Sequence, residues 1–252
     1  MSSPTECRLI LDPPSPGSWN MAVDEVLLEW ATGSNQCCWR FYGWDEPTLS
    51  VGYFQEYHDR HGHAPSQACP AVRRLTGGGA IVHDVELTYS FVVPAGHPLA
   101  ARRDGLYEIV HTALIETLAD MGAAASLHPT SPHHGRDEDT FLCFQRRSPG
   151  DVVLGKTKIA GSAQRRRRGA VLQHGSVILG RSPAAPELLG IEDLLGRSID
   201  PDGLAGAWLE TLSRHLVVTW SRRPLSGSKR DRAGVLADAR YGSAPWTENR
   251  RC

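Results

Sequence analysis

Three residue types suited to acyl-group chemistry lie close together in the second half of the chain. Cys143 supplies a soft nucleophile, Lys158 a cation fifteen residues later, and Gly161-Ser162-Ala163 a run of small residues. A free thiol has a pKa of about 8.5, so little thiolate exists at neutral pH unless a nearby cation stabilises it. Gly161 permits unusual backbone angles. The run Lys158-Ile159-Ala160-Gly161-Ser162-Ala163-Gln164 therefore lets a ligand lie close to the main chain and leaves N–H groups to bind a carbonyl oxygen. These are the parts of an acyl transfer that passes through a thioester. The same residues also fit a plainer arrangement, with a thiol packed between Phe141 and Phe144 and a hairpin turn carrying a surface lysine. Lys156 is a competing cation, two residues away and on the same strand face.

Further upstream, Arg73-Arg74-Leu75-Thr76-Gly77-Gly78-Gly79-Ala80-Ile81-Val82-His83-Asp84 holds three consecutive glycines. Bare backbone of this kind cradles a phosphate or admits an apolar chain. No Gly-Lys-Ser/Thr closes the run, and a strand rather than a helix follows it, which excludes both a Walker A loop and a dinucleotide fingerprint. His83 would orient a substrate or satisfy a turn. Gln173-His174-Gly175-Ser176 offers a second histidine, which would relay a proton if it faced the site and otherwise packs in the sheet. The Arg165–Arg168 run reads as a solvated turn or as a surface that steers an acidic carrier protein.

The elements that must hold these residues follow from pattern. Val23, Val26, Leu27 and Trp30 mark a helix over 19–31, with Asn20 as its N-cap. Strands are predicted over 36–42 and 48–54, with a turn at 45–47 between them. A glycine turn at 71–79 leads into a strand with Leu87, Tyr89, Phe91 and Val93 on one face. Leu106, Ile109, Val110, Ala113, Leu114, Thr117, Leu118 and Met121 define a helix over 105–121 that Gly122 closes. Residues 126–140 read as a polar, histidine-rich loop. Strands over 151–160 and 170–179 flank the arginine run. Helices follow at 187–195, 203–216 and 230–241, the last after a flexible joint at 226–228. Strands and helices intermix without regular βαβ alternation, so the fold class is α+β.

Composition narrows the functional classes. Across 252 residues, 27 Lys+Arg against 28 Asp+Glu give a net charge of -1, so no global field draws the protein to nucleic acid or membrane. No apolar run approaches a membrane span, and no secretory leader is visible. Six cysteines without paired CxxC spacing imply neither a disulfide framework nor a zinc site, and predict reduced thiols in a cytoplasmic protein without a metal.

Taken together, the segments from Arg73 to Asp84, Glu86-Leu87-Thr88-Tyr89-Ser90, Gly155 to Gln164 and Leu172-Gln173-His174-Gly175 resemble the biotin/lipoate ligase-like catalytic domain. So do Asn20-Met21-Ala22-Val23-Asp24-Glu25, Arg40-Phe41-Tyr42-Gly43-Trp44 and Gly52-Tyr53-Phe54-Gln55, together with Arg240-Tyr241 and the tail from Trp246 to Arg251. Cys143-Phe144 at its distance from Lys158, and the short spacing from His83 to Tyr89, resemble lipoyl(octanoyl) transferases of the LipM type. Gly79 stands where many of those transferases carry arginine.

The resemblance implies a fold like that of class II aminoacyl-tRNA and biotin synthetases, with mixed, largely antiparallel sheets flanked by helices. It implies one catalytic domain over 1–252, with a mainly helical part at 182–252. By the same resemblance, Cys143 would take octanoyl from the phosphopantetheine arm of acyl carrier protein. A lysine of a lipoyl domain or of glycine-cleavage H protein would then accept it, with no ATP and no other cofactor. Lys158 would favour the thiolate and help hold the oxyanion. Arg74, Thr76, Gly77, Gly78, Gly79, His83, Gly161, Ser162, Ala163, Gln173 and His174 would bind substrate. An apolar tunnel would run past Tyr42, Val82 and Val171. An ATP-dependent lipoate ligase, a non-catalytic lipoyl or acyl binder, and a transferase acting between lipoylated proteins stand as alternatives on the same fold.

Overall fold

The computed structural model describes residues 4–101, 103–129 and 140–251. In chain order the elements are β1 (Thr5–Leu11), α1 (Gly17–Ala31), β2 (Cys38–Tyr42), β3 (Thr48–Val51), β4 (Ala71–Arg73), β5 (Ile81–His83), β6 (Glu86–Val93), α2 (Pro98–Ala101) and α3 (Arg103–Asp120). There follow β7 (Ala125–Leu127), β8 (Val152–Leu154), β9 (Thr157–Arg167), β10 (Ala170–Ile178), α4 (Ile191–Leu195), α5 (Pro201–Leu216), β11 (Val218–Arg222), α6 (Gly227–Leu236), a π-helical turn Ala237–Tyr241, and α7 (Ala244–Asn249).

Eight strands form one sheet in the order β11-β1-β2-β6-β10-β9-β8-β7, and β4-β3-β5 form a small second sheet. β1 runs parallel to β2 and β11, and every other pairing in the large sheet is antiparallel. This is the expected α+β arrangement of mixed, largely antiparallel sheets flanked by helices. One core layer joins the large sheet to α3 and α5 through Trp39, Tyr89, Leu106, Val110, Leu114, Trp208 and Leu212. The opposite face packs α1 and α6 through Met21, Val23, Leu27, Leu172 and Leu236. Each fully buried Leu or Val contributes on the order of 1.5–3 kcal/mol by leaving water. A third cluster joins the small sheet to Leu142, immediately before Cys143.

Several local expectations are corrected. α1 begins at Gly17 after Pro16, so Asn20 is not its cap. Instead the Asn20 amide donates to the carbonyls of Ser15 and Gly43, and its Oδ1 accepts from Arg40. The predicted strand over 151–160 is two antiparallel strands, broken at Gly155 where φ reaches 62°. Arg165 to Arg167 lie within β9, and the hairpin turn is Arg168-Gly169, both with positive φ. Gly227 and Ser228 belong to α6 rather than to a joint. β1, β7 and β11 were absent from the sequence reading, and β2 and β3 enter different sheets. Of the loop expected at 126–140, residues 130–139 lie outside the described residues.

Candidate active site

The site forms where three segments meet: the glycine turn between β4 and β5, a short 3-10 turn over Cys143–Gln145, and facing residues of β9 and β10. Two backbone hydrogen bonds fix the cysteine to the glycine segment. Ala80 N–H donates to Phe141 O at 3.0 Å, and Cys143 N–H donates to Ala80 O at 2.8 Å. Gln55 reinforces the junction by donating to Phe141 O while accepting from Gly52 N–H.

The turn itself is shaped by close backbone approach. A Cβ on Gly52 would stand 2.0 Å from Gly78 O, and one on Gly79 would stand 3.0 Å from both Cα and N of Cys143. Arg74 pins the turn by donating to Ser50 O and Oγ and to Gly77 O and Gly79 O. Burial pushes the Arg74 guanidinium down to about 10. Among the described residues, the N–H groups of Gly77, Gly78 and Gly79 have no hydrogen-bond acceptor.

Lys158 and Cys143 come together as the spacing suggested. Lys158 Nζ lies 3.5 Å from Cys143 Sγ, 3.5 Å from Cys143 O and 2.9 Å from Asp151 Oδ2. Its three protons thus have three acceptors, and the ring centroid of Phe144 lies 5.0 Å away. The Lys158 side chain is only 3% exposed. Lys156 is not a competitor, because it lies in the turn before β9 and is exposed. Cys143 is half-buried, whereas Cys7, Cys37, Cys38 and Cys69 are buried. Burial pushes the Cys37 and Cys38 thiols up to about 12 and raises those of Cys7 and Cys69 as well, which leaves them poor nucleophiles.

Two cavities share Cys143 in their lining. A narrow, mainly apolar one is lined by Met21, Tyr42, Ile81, Phe144, Ala163 and His174, among others. A wider, more polar one is lined by His111, His128, Arg146, Asp151 and Lys158. Gly78, Cys143 and Ser162 line both. Arg74, Gly77, His83 and Gly161 also line the narrow cavity, and Gly79 lines the wider one. Of the expected tunnel residues only Tyr42 is there. Val82 packs in the small-sheet cluster and Val171 in the core beneath α3, because strand pleating turns each away.

Thr76, Gln173 and the two histidines act within the protein. His174 Nδ1 lies 3.0 Å from Asp24 Oδ2, and its Nε2 lies 2.6 Å from Thr76 Oγ1. Burial opposes the Asp24 charge, but the His174 hydrogen bond and the Arg40 guanidinium outweigh it and hold its carboxyl below the usual range. His83 is held by Glu86 and Ser50 at 2.7 Å each and stacks on Trp44. Gln173 lines neither cavity and donates to Tyr89 Oη. Neither His83 nor His174 has a ring nitrogen free for substrate.

The sequence reading missed Asp151 and His111. Asp151 is a lone acid just ahead of β8, with no pattern around it. His111 lies beside the apolar stripe of α3 rather than in it and is only 2% exposed, and nothing in the local pattern marked it.

The residues that build this site, from Arg74 to His174, fall within a stretch of known kinship. Residues 16–185 match the family described as lipoyl protein ligase A/B catalytic domain. The chain belongs to that family. It is 30% identical to an octanoyltransferase LipM of Geobacillus kaustophilus, over 93% of this chain and 95% of that one. It is 33% identical to an octanoyltransferase LipM of Moorella thermoacetica, over 92% and 93%. By that kinship it is an acyltransferase. In structure it is similar to a protein of T. acidophilum solved with lipoic acid, at TM-score 0.78 and 21% identity over 97% of this chain and 100% of that one. A lipoate-protein ligase A solved with ATP gives 0.75 and 22%, over 97% and 99%. These two likenesses establish the fold. Among the described residues no helix is long and apolar enough to cross a membrane.

Proposed function

We propose that the protein moves octanoyl from the phosphopantetheine thioester of acyl carrier protein to a lysine of a lipoyl domain or of glycine-cleavage H protein, carrying it on Cys143. The carrying observation is the 3.5 Å contact between Lys158 Nζ and a sulfur that sits where an apolar and a polar cavity meet. An eight-carbon chain fills the narrow side, and its carbonyl stays at the neck. The LipM relatives support the octanoyl assignment. A T. acidophilum lipoate protein ligase solved as part of a system with its E2 lipoyl domain supports that class of acceptor.

In the first step the Cys143 thiolate adds to the donor carbonyl, and the carbon–sulfur bond to phosphopantetheine breaks. The departing thiolate takes up a proton. Lys158 neutralises the attacking sulfur, and the N–H groups of Gly77–Gly79, which have no acceptor among the described residues, hold the oxyanion, each such donor being worth about 10²–10³ in rate. In the second step a neutral lysine amine adds to the Cys143 thioester. A carbon–nitrogen bond forms, the carbon–sulfur bond breaks, and nitrogen loses a proton. An amide replaces a thioester, so the transfer runs downhill without ATP. Splitting one transfer into two is the use of the covalent intermediate.

Intact-mass measurement after mixing with octanoyl-acyl carrier protein tests this. The expected product is an octanoyl adduct that hydroxylamine removes and that Cys143→Ser does not form. An unmodified wild-type protein, or a Cys143→Ser variant fully active with ATP and lipoate, overturns it.

A further inference from the structure

The second step requires a group that takes a proton from nitrogen, and Lys158 is unsuited to it. Its ammonium donates to Asp151 and Cys143 and carries no lone pair. Another set of side chains reaches the same neck. Ser162 Oγ, on a residue that lines both cavities, lies 2.6 Å from His111 Nε2 and 2.6 Å from Tyr89 Oη.

The hydrogen-bond directions along this chain follow from its ends. His111 Nδ1 lies 2.6 Å from Gly150 O, a pure acceptor, so Nδ1 carries the proton. Burial lowers the His111 pKa, which keeps the ring neutral, so Nε2 accepts and Ser162 Oγ–H donates to it. With its one proton committed, Ser162 accepts from Tyr89, which burial holds protonated. Gln173 Nε2 donates to Tyr89 Oη at 2.9 Å, and Gln164 Nε2 donates to Gln173 Oε1 at 2.9 Å. Each hydroxyl and ring nitrogen from His111 to Tyr89 is thus paired, and among the described residues one lone pair of Ser162 Oγ is left over. Gly175 makes room for this arrangement, since a Cβ there would stand 2.5 Å from Ser162 Oγ and 2.8 Å from a Tyr89 ring carbon.

We propose that Ser162 and His111 form the proton relay for the amine-transfer step, with Ser162 touching the reacting nitrogen and His111 acting through it. The proposal rests on the thioester reading given above. As the carbon–nitrogen bond forms, the nitrogen proton passes to Ser162 Oγ while the Ser162 proton passes to His111 Nε2. The carbon–sulfur bond breaks, and sulfur leaves as a thiolate beside Lys158. Burial and the Lys158 charge disfavour the imidazolium, the Gly150 carbonyl and the Asp151 carboxylate favour it, and it returns its proton to water in the wide cavity.

The two half-reactions separate the roles. Purified wild type, His111→Gln and Ser162→Ala are each acylated with octanoyl-acyl carrier protein, checked by intact mass, and then mixed with a lipoyl domain. Both variants are expected to form the acyl-enzyme but to transfer about 10²-fold more slowly, with KM for the acceptor unchanged. Added imidazole is expected to restore part of the His111→Gln rate. Gln keeps a donor and an acceptor on the helix, so a merely structural histidine predicts no such split. Should His111→Gln fail to fold, Ser162→Ala carries the test. Transfer at the wild-type rate by either folded variant overturns the relay while leaving the thioester reading intact. A wild type that forms no acyl-enzyme overturns both.

Discussion

Asp151 Oδ2 lies 2.9 Å from Lys158 Nζ and holds the ammonium that in turn reaches Cys143 Sγ at 3.5 Å. The carboxylate also accepts from Ser148 N–H, so the loop ahead of β8 and the strand β9 are tied through one side chain. Asp151→Asn would leave a buried ammonium without its counter-charge. The expected stability loss is about 3 kcal/mol, read as a lower urea midpoint at unchanged slope. Acyl-enzyme formation should slow by about tenfold, equivalent to about 1.4 kcal/mol of barrier.

Gly79 stands against the backbone of Cys143, and Arg146 Nη2 occupies the remaining space, 2.6 Å from where a Cβ would be. Backbone cannot yield as a flexible side chain does. Gly79→Ala should therefore displace the sulfur from Lys158, cost about 1–3 kcal/mol and cut the acylation rate far more than stability alone explains. Rapid-quench acylation alongside thermal melting checks this, and an unchanged rate would show that the close approach is unimportant.

Met21 reaches the apolar cavity from α1. Met21→Ala should open that end and shift acyl preference toward longer chains. Each additional buried methylene is worth about 0.8 kcal/mol, or roughly fourfold in relative rate. Competition between octanoyl and decanoyl donors measures the shift.

Stability should fall on mild acidification. Burial holds the His83 and His111 rings below their usual value of 6.5, in His83 against the raising effect of Glu86. The unfolded chain therefore binds protons that the folded one refuses. Their contribution is full above pH 6.5 and is lost as pH falls through 6.5 toward the lower folded values, at up to about 1.4 kcal/mol per unit and per group. Asp24, held below 3.8, adds a second loss only in stronger acid. Urea midpoints between pH 7 and pH 5 should drop, and the drop should be shallower in His83→Gln.

Much of the framework was legible because its signals are local. The stripe from Leu106 to Leu118 marked α3, and the alternation from Leu87 to Val93 marked β6. The glycine run and the small residues after Lys158 marked the ligand-facing backbone. β1 and β11 left no comparable trace, because their pairing joins Thr5 to Val218 and nothing nearby in sequence reports it. Asn20 illustrates the limit of propensity rules: a good capping residue was taken instead by Arg40 and by the carbonyls of Ser15 and Gly43.

The amino-acid sequence by itself determined which groups could do chemistry: a glycine turn, one thiol, one lysine and a small-residue strand. Tertiary structure alone decided their working partners. His111, Tyr89 and Asp24 enter through contacts between elements far apart in the chain, and Asp151 through the turn of the β8–β9 hairpin onto Lys158. Distance, burial and hydrogen-bond direction set what those groups do. None of these is defined until α3, β8, β9 and β10 pack together, and only then does Cys143 stand at the neck of two cavities rather than in a core.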